Sequence, residues 1–368
     1  MRLLFVNLNR SRAFGGVERW MMDAAAGLTA RGHRCTLLGR PNAPWVAAAR
    51  QRGLSVREDH HGPWIARVLQ MRAVMRAERP EVTIVKAKKA ARMATWGRSR
   101  SRGERVAIFF GLTHELDRRR WVDRYTWRRL DAGIAVARGA ADWYAAQGFG
   151  PATKVHTLWK GVDLAPFDRG ITLRRVTRDE LGIADGEFVV GTACRLAWQK
   201  GVDQLLEAIR LVAPRLPQAR FLVVGDGRER AEIEAAAGDL GSRVRFLGHR
   251  EDVPTLLAAV DLFVQPSRHE VMVQTTLEAM AAGLPVVSTR TVGADEAIVD
   301  GESGVLVPVG DASAMADAVA ALGNDPGRRA MLGRAARARI EARFTLTHML
   351  DRAERLLGRI AAGAPSEG

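Results

Sequence analysis

The chain has 368 residues, of which 47% are hydrophobic and 26% charged, with a formal net charge of +15. That length can bury a large core and suggests two domains. No apolar run reaches the roughly 18–20 residues of a membrane span, and the two cysteines, Cys35 and Cys194, form no motif and fit a reduced, cytoplasmic protein.

The elements alternate from the start. The opening MRLLFVNLNR has too short an apolar run for a signal peptide, and residues 3–6 read as a first strand. Gly15 and Gly16 open a helix through about residue 30, and Gly32 ends it before a strand at 34–38. A helix at 44–51, a strand at 54–57 and a helix at 63–78 follow. Strands at 82–85, 106–110 and 133–136, a helix at 138–147 and a strand at 154–158 close this half. Residues 161–178 lack a strong period and read as a linker. The rhythm then restarts, with strands at 188–192, 221–224, 244–247, 262–265, 286–288 and 305–307. Helices at about 201–213, 227–237, 252–259, 274–282 and 311–322 lie between and after them. Two long arginine-rich helices, about 326–340 and 347–361, end in a polar tail. Short apolar runs separated by helices indicate parallel sheets covered on both faces. Two doubly wound α/β domains would place a ligand cleft between the carboxyl ends of both sheets.

Charge divides along the same line. Residues 1–170 hold 32 Lys+Arg against 14 Asp+Glu, a net +18, whereas residues 171–368 hold 24 against 27, a net −3. A one-sided basic field draws anionic partners such as acidic lipids, glycan phosphates or nucleic acid. Only six lysines occur, Lys86, Lys88, Lys89, Lys154, Lys160 and Lys200, so a lysine as late as Lys200 invites a reason.

The stretch 265–288 carries two carboxylates at a strand–loop–helix junction. Glu270 sits in the loop, the helix begins near Gln274, and Glu278 lies in its first turns before Gly283-Leu284-Pro285 stops it. Free N–H groups at Val273, Gln274 and Thr275 and the positive end of the helix dipole suit an anion. Glu278 suits hydroxyls a little further away, so the pattern describes a ligand both phosphorylated and rich in hydroxyls. Arg195 and Lys200 follow the strand 188–192 and precede a helix. A guanidinium fork and an ammonium suit a diphosphate and its departure as a leaving group; read alone, they also suit a solvated loop. Gly225 and Gly227 permit a tight turn and close ligand approach, or merely punctuate a strand and helix. Gly248 ends the next strand, where backbone groups meet a base or form a plain turn.

Taken as an ordered set, these motifs resemble glycosyltransferase family 4. The matching residues are Arg195-Leu196 with Lys200-Gly201, the run VVGDG at 223–227, Phe246-Leu247-Gly248, and Glu270 with Glu278 followed by AMAAGLPVV. The resemblance is strong over 187–310 and looser in the first half, at Phe14-Gly15-Gly16, Ile134-Ala135-Val136 and Gly161-Val162-Asp163. It implies a GT-B fold with an acceptor-side domain at 1–165, a linker at 166–184 and a nucleotide-sugar-binding domain at 185–345. The helix and tail at 346–368 would cross back to the first domain. It implies a retaining, metal-independent transferase with a nucleotide-diphosphate sugar as donor; the absence of any Asp-x-Asp run agrees. Arg195 and Lys200 would bind the diphosphate, Glu278 the ribose hydroxyls, and Glu270 the transferred sugar. Gly15 and Gly16 would bring backbone amides to the phosphates, while Gly225, Gly248, Val273, Gln274 and Thr275 complete the donor site.

Three departures stand out. The glycines that many relatives place after the loop glutamate are replaced by Val271-Met272-Val273, and a branched residue resists positive φ. Where relatives place a histidine after the strand at 106–109 this chain has Phe110, and His114, four residues on, either takes over near the acceptor or is an ordinary loop histidine. Lys160 replaces the asparagine of a common Asn-Gly-Val-Asp run.

The basic half suits an anionic acceptor. Lys86, Lys88 and Lys89 follow a strand end and would hold a phosphorylated glycan or lipid phosphate, or else form a helix's exposed face. The run RRRWVDRYTWRR at 118–129 interleaves aromatics with arginine, as interfacial membrane segments do. The expected activity is sugar transfer to an anionic glycan or glycolipid in cell-envelope synthesis, lipopolysaccharide included. The protein would be cytoplasmic and peripheral on the inner membrane face, with no nucleic-acid partner. A nucleotide-sugar 2-epimerase and a basic nucleic-acid-binding protein are the alternatives.

Overall fold

The structure, a computed structural model, describes residues 1–8, 15–60, 62–99, 103–110, 121–146 and 154–364. The chain forms two compact units, Met1–Lys160 with Leu346–Gly368, and Gly161–Thr345.

The first unit is built on seven parallel strands, β1 (Arg2–Asn7), β2 (Arg34–Gly39), β3 (Ser55–Glu58), β4 (Val82–Lys86), β5 (Arg105–Phe110), β6 (Ala132–Ala135) and β7 (Val155–Thr157). Their order is β3-β2-β1-β4-β5-β6-β7. Leu3, Leu4, Phe5 and Val6 are all buried, as consecutive residues of a strand covered on both faces must be. The helices between the strands are α1 (Gly16–Ala30), α2 (Pro44–Gln51), α3 (Trp64–Glu78), α4 (Lys88–Gly97), α5 (Trp121–Arg129) and α6 (Arg138–Ala146). The chain winds from β1 to β3 in one direction and from β4 to β7 in the other. Right-handed crossovers therefore put α1 and α2 on one face and the α3–α4–α5 row on the other; α1 packs on α2, and α4 packs on both α3 and α5.

The second unit begins with α7 (Ala165–Ile171) and α8 (Arg174–Glu180). Its six parallel strands are β8 (Phe188–Ala193), β9 (Ala219–Val224), β10 (Val244–Gly248), β11 (Leu262–Gln265), β12 (Val286–Thr289) and β13 (Val305–Val307), ordered β10-β9-β8-β11-β12-β13. Around them run α9 (Val202–Val212), α10 (Arg230–Ala236), α11 (Val253–Ala258), α12 (Gln274–Ala281), α13 (Ala294–Ala297), α14 (Ala312–Asn324) and α15 (Pro326–Arg343). The core side of α9 is Val202, Leu205, Leu206, Ile209 and Val212, one apolar stripe at helical spacing against β8 and β9.

The segment 166–184, expected as a linker, instead forms α7 and α8 inside this unit. Both pack on α11. Arg174 donates to the carbonyls of Ala258 and Val260, and both Arg174 and Arg178 meet Asp261. The anchoring is guanidinium to carbonyl and carboxylate rather than an apolar stripe, so hydrophobic periodicity does not reveal it.

The last helix, α16 (Leu346–Ala362), belongs to the first unit. It lies along α1 so closely that a Cβ at Gly27 would overlap the Leu350 side chain. Arg31 reaches Asp351 at 2.7 Å and Glu354 at 3.0 Å, and His33 Nε2 lies 2.7 Å from the same Glu354. Arg138 and Arg352 both lie over the Trp159 ring, at 5.6 and 4.6 Å from its centroid. Truncation of the buried Leu350 to Ala opens this helix pair. It should destabilise the first unit by about 2–4 kcal/mol in denaturant unfolding, while an exposed change such as Arg355→Ala should cost under about 0.5 kcal/mol.

Candidate functional site

The carboxyl ends of β8, β9, β10 and β11 in the second unit carry the candidate residues. Three loops there lie side by side with their backbones in contact. Cys194 N–H donates to Val224 O at 3.0 Å, Leu196 N–H to Asp226 O at 3.0 Å, and Gly225 N–H to Gly248 O at 2.7 Å. A Cβ at Gly225 would overlap the Cys194 carbonyl, and one at Gly227 the Leu196 carbonyl. The close approach that Gly225 permits is thus to a neighbouring loop. Gly248, at φ +69°, faces the Arg230 guanidinium.

Lys200 ends a short 3-10 turn, Trp198–Lys200, and Gly201 at φ +65° starts α9 behind it. A Cβ at Gly201 would overlap the carbonyl of Pro266, just past the end of β11, so only glycine lets α9 start this close. The Lys200 ammonium forms an ion pair with Glu270 Oε1, two groups far apart in sequence and both largely shielded from water. Arg195, on the same loop as Lys200, is exposed. Desolvation pushes the Cys194 thiol beside this pair up to about 11, so it stays protonated at neutral pH.

After Glu270 the chain buries Val271 and Met272. Neither has positive φ, so this loop follows an ordinary extended-to-helix path. Val273 is the N-cap of α12 and offers no side-chain acceptor, leaving the first-turn N–H groups of Gln274 and Thr275 without a side-chain cap. Gln274 Nε2 reaches Gly161 O at 3.3 Å. Glu278 lies one turn into α12 and is buried.

Two polar groupings that the sequence did not single out hold this arrangement. Arg268 grips Asp203 with both Nη atoms, at 2.7 and 2.5 Å, and donates to Trp198 O at 2.9 Å. Its N–H donates to Gln199 O at 2.9 Å. Arg268 therefore ties the loop of Glu270 to the loop of Lys200. Beneath them, Gln265 Nε2 donates to Ser267 Oγ at 2.7 Å, Thr275 Oγ1 to Gln265 Oε1 at 3.3 Å, and Thr289 Oγ1 to Ser267 O at 2.6 Å. Such buried networks fix rotamers and positions.

Gly15 and Gly16 belong to the first unit, at the start of α1. Gly15 N–H donates to Glu18 Oε2 at 3.1 Å, and Asn7 Nδ2 to Glu18 Oε1 at 2.8 Å. The Gly15 amide is thus already engaged by a buried carboxylate. Lys86 is buried at the end of β4, while Lys88 and Lys89 open α4. His114 and Arg118 to Arg120 lie outside the described residues. Among the described residues no three of His, Cys, Asp and Glu gather into a metal-binding group.

A hollow of about 630 Å³ lies at the opposite end of the second unit's sheet, lined by Arg174, Arg178, Glu187, Phe188 and Asp261. The Arg174 and Arg178 guanidiniums in its lining are committed to carbonyls and to Asp261.

Two family patterns match the chain. Residues 14–166 match the one described as Glycosyltransferase Family 4, and residues 187–325 the one described as Glycosyl transferases group 1. A protein named Lipopolysaccharide core biosynthesis glycosyltransferase LpsE, from Rhizobium meliloti (strain 1021), is 28% identical over 344 residues, 92% of this chain and 94% of that one. A GDP-mannose-dependent monoacylated alpha-(1-6)-phosphatidylinositol monomannoside mannosyltransferase from Corynebacterium glutamicum is 31% identical over 253 residues, 66% of this chain and 62% of that one. Among solved structures, Anabaena Alr3699/HepE in complex with UDP aligns over 97% of this chain and 100% of its own, with a TM-score of 0.83 and 23% identity. A glycosyltransferase from Rickettsia africae ESF-5 aligns over 97% and 98%, with a TM-score of 0.85 and 17% identity. These two structures speak for the fold, a GT-B architecture of two Rossmann-like parallel-sheet domains.

The Arg268 clamp carries a prediction. Arg268→Gln should raise the donor KM about tenfold or more with kcat less affected, since Arg268 positions Lys200 and Glu270 without bearing charge toward the ligand. The hydrogen bond from Arg268 holds the Asp203 carboxyl below the usual carboxylate value. The clamp is therefore complete throughout the ordinary carboxylate range and above, and is lost only as acid titrates Asp203 through its lowered value. The same rise in KM should appear in wild-type protein only at pH below the ordinary carboxylate range, as initial rates across pH would show.

Proposed function

The chain belongs to glycosyltransferase family 4 and is an enzyme of the transferase class, and from that premise we propose that it moves a sugar, with retention, from a nucleotide-diphosphate sugar to a hydroxyl of an anionic glycan or glycolipid. Its place is lipopolysaccharide or related cell-envelope glycan synthesis, the setting that the name of the LpsE relative states for that protein. A nucleotide-sugar donor is what the Corynebacterium relative's name states for it. The observation that carries the reading is the Lys200–Glu270 pair with Arg195 on the same loop and Glu278 buried in the adjoining helix.

The roles follow from charge and reach. Arg195 and Lys200 take the diphosphate, and their charge stabilises it as the bond to the anomeric carbon breaks. The first turn of α12 adds N–H donors and dipole to the same anion. Glu278 accepts from the ribose hydroxyls. Glu270, released from Lys200 when the diphosphate takes the ammonium, accepts from hydroxyls of the transferred sugar. The departing phosphate oxygen takes the acceptor proton, so attack and departure share one face of the sugar. No metal is required, because the two side-chain cations neutralise the leaving group. His114 acts near the acceptor, and Lys86, Lys88 and Lys89 attract its phosphate. The protein works as a peripheral protein on the inner face of the cytoplasmic membrane. An epimerase is not favoured, since the relatives carry transferase names. A nucleic-acid-binding role leaves the Arg195–Lys200–Glu270–Glu278 set without a task.

A panel of UDP, GDP, ADP and CMP sugars in a thermal-shift assay identifies the donor: one class should raise the melting temperature, by about 2.7 kcal/mol of stabilisation at a hundredfold excess over Kd. Lys200→Ala and Glu278→Gln should each lower kcat/KM by about 100-fold or more, with the ligand-free melting temperature within a few degrees of wild type. Full activity in both variants, or no response to any donor, overturns the reading.

A further inference from the structure

We propose that the face formed by α3, α4 and α5 docks the protein on an anionic lipid bilayer. The inference rests on the reading that the acceptor is presented at a membrane, and it names the surface that meets that membrane.

Six large apolar side chains on these helices are turned to solvent: Trp64, Ile65 and Leu69 on α3, Trp96 on α4, Trp121 and Tyr125 on α5. Ile65 is 71% exposed and Trp121 69%. They stand on three helices packed in a row, α4 against both α3 and α5. The Trp96 and Tyr125 rings meet edge to face with centroids 6.1 Å apart. Gly97, the neighbour of Trp96, lies against the backbone of Arg72, so α3 and α4 touch beside Trp96. The opposite side of α3 faces the core with Met71 and Met75 and with Arg67, which is paired to Asp59.

The charge around this surface has one sign. Arg72, Arg76, Arg124 and Arg128 are exposed beside it, and Arg129 donates to the Tyr125 hydroxyl at 3.1 Å. The three helices contain two acids. Glu78 is engaged by Arg57, and Asp123 is fully buried against Arg92. Tryptophan and tyrosine prefer the headgroup level, where arginine meets lipid phosphate. A second copy of the chain would oppose arginine to arginine on this face with no acid between them. Nucleic acid would have no use for Ile65 and Leu69.

The test uses the full chain with phosphatidylcholine vesicles, with or without phosphatidylglycerol. The protein should sediment with the anionic vesicles only and be released by about 0.5 M salt. Trp96→Ser/Trp121→Ser/Tyr125→Ser and, separately, Arg72→Glu/Arg124→Glu/Arg128→Glu should each weaken binding at least about tenfold. Unchanged melting temperatures and unchanged donor-induced shifts show that both variants fold. Equal binding to both vesicle types, no binding to either, or variants that bind as wild type overturns the proposal. So does a concentration-dependent dimer that the aromatic variant dissolves without any vesicle binding. A wild-type chain that binds no vesicle yet keeps its donor shift removes this inference alone; a wild-type chain that binds vesicles with no donor response removes the transferase reading alone.

Discussion

The site in the second unit depends on backbone lying directly on backbone. At Gly201, Gly225 and Gly227 a Cβ would run into the carbonyls of Pro266, Cys194 and Leu196. These contacts leave no room for a side chain, and the loops between them exchange N–H···O bonds that would otherwise need water. Lys200 meets Glu270 because Gly201 lets α9 begin against the end of β11. Arg268 then locks the two loops from outside through Asp203 and the Trp198 carbonyl. The chemistry of the pair is therefore set by three hydrogen atoms where side chains would be, and by one guanidinium.

The ion pair at the centre is poor evidence for stability. Taking both charges largely out of water costs about as much as their attraction returns. Such a pair is better understood by what it keeps ready. Without a donor, each group satisfies the other; on the proposed function, an incoming diphosphate offers the ammonium a stronger partner and frees Glu270 for hydroxyls. Glu18 in the first unit follows a parallel logic, since its carboxylate occupies the Gly15 amide at a helix start. Cys194 adds no competing charge, because desolvation keeps its thiol protonated.

The alternation of two parallel-sheet domains was legible because each buried strand is a short apolar run and each helix an interval of mixed polarity. Glu270, Glu278, Arg195 and Lys200 were legible as residue types at loop and helix positions, and the family resemblance supplied their roles. Contacts between residues distant in the chain were not. Nothing near Arg268 points to Asp203, 65 positions away. Nothing in 166–184 announces helices tied down by Arg174 and Arg178 rather than by an apolar stripe. The glycines of the 223–227 run suggest a tight turn, but the group that presses on Gly225 is the Cys194 carbonyl, which only the fold reveals. Val271 and Met272 turn inward as core residues, so the loop after Glu270 is held by burial and needs no positive φ.

Net charge alone would spread the basic character of the first half evenly, and the fold does not. Arg67 is consumed by Asp59 in the interior, Arg92 by Asp123, and Arg98 by Asp131. Arg31 and Arg52 are tied to acids on α16 and α1. What remains without an acid partner among the described residues includes Arg72, Arg76, Arg124 and Arg128, and these four stand on the same helices as the exposed tryptophans. Pairing removes charge from most of the unit and leaves it where apolar side chains also face outward. Two independent selections, of sign and of polarity, thus fall on one surface. A residual arginine on a solvated face needs only water, but a residual arginine beside Trp96, Trp121 and Ile65 lies where water is the poorer neighbour for half of the atoms present.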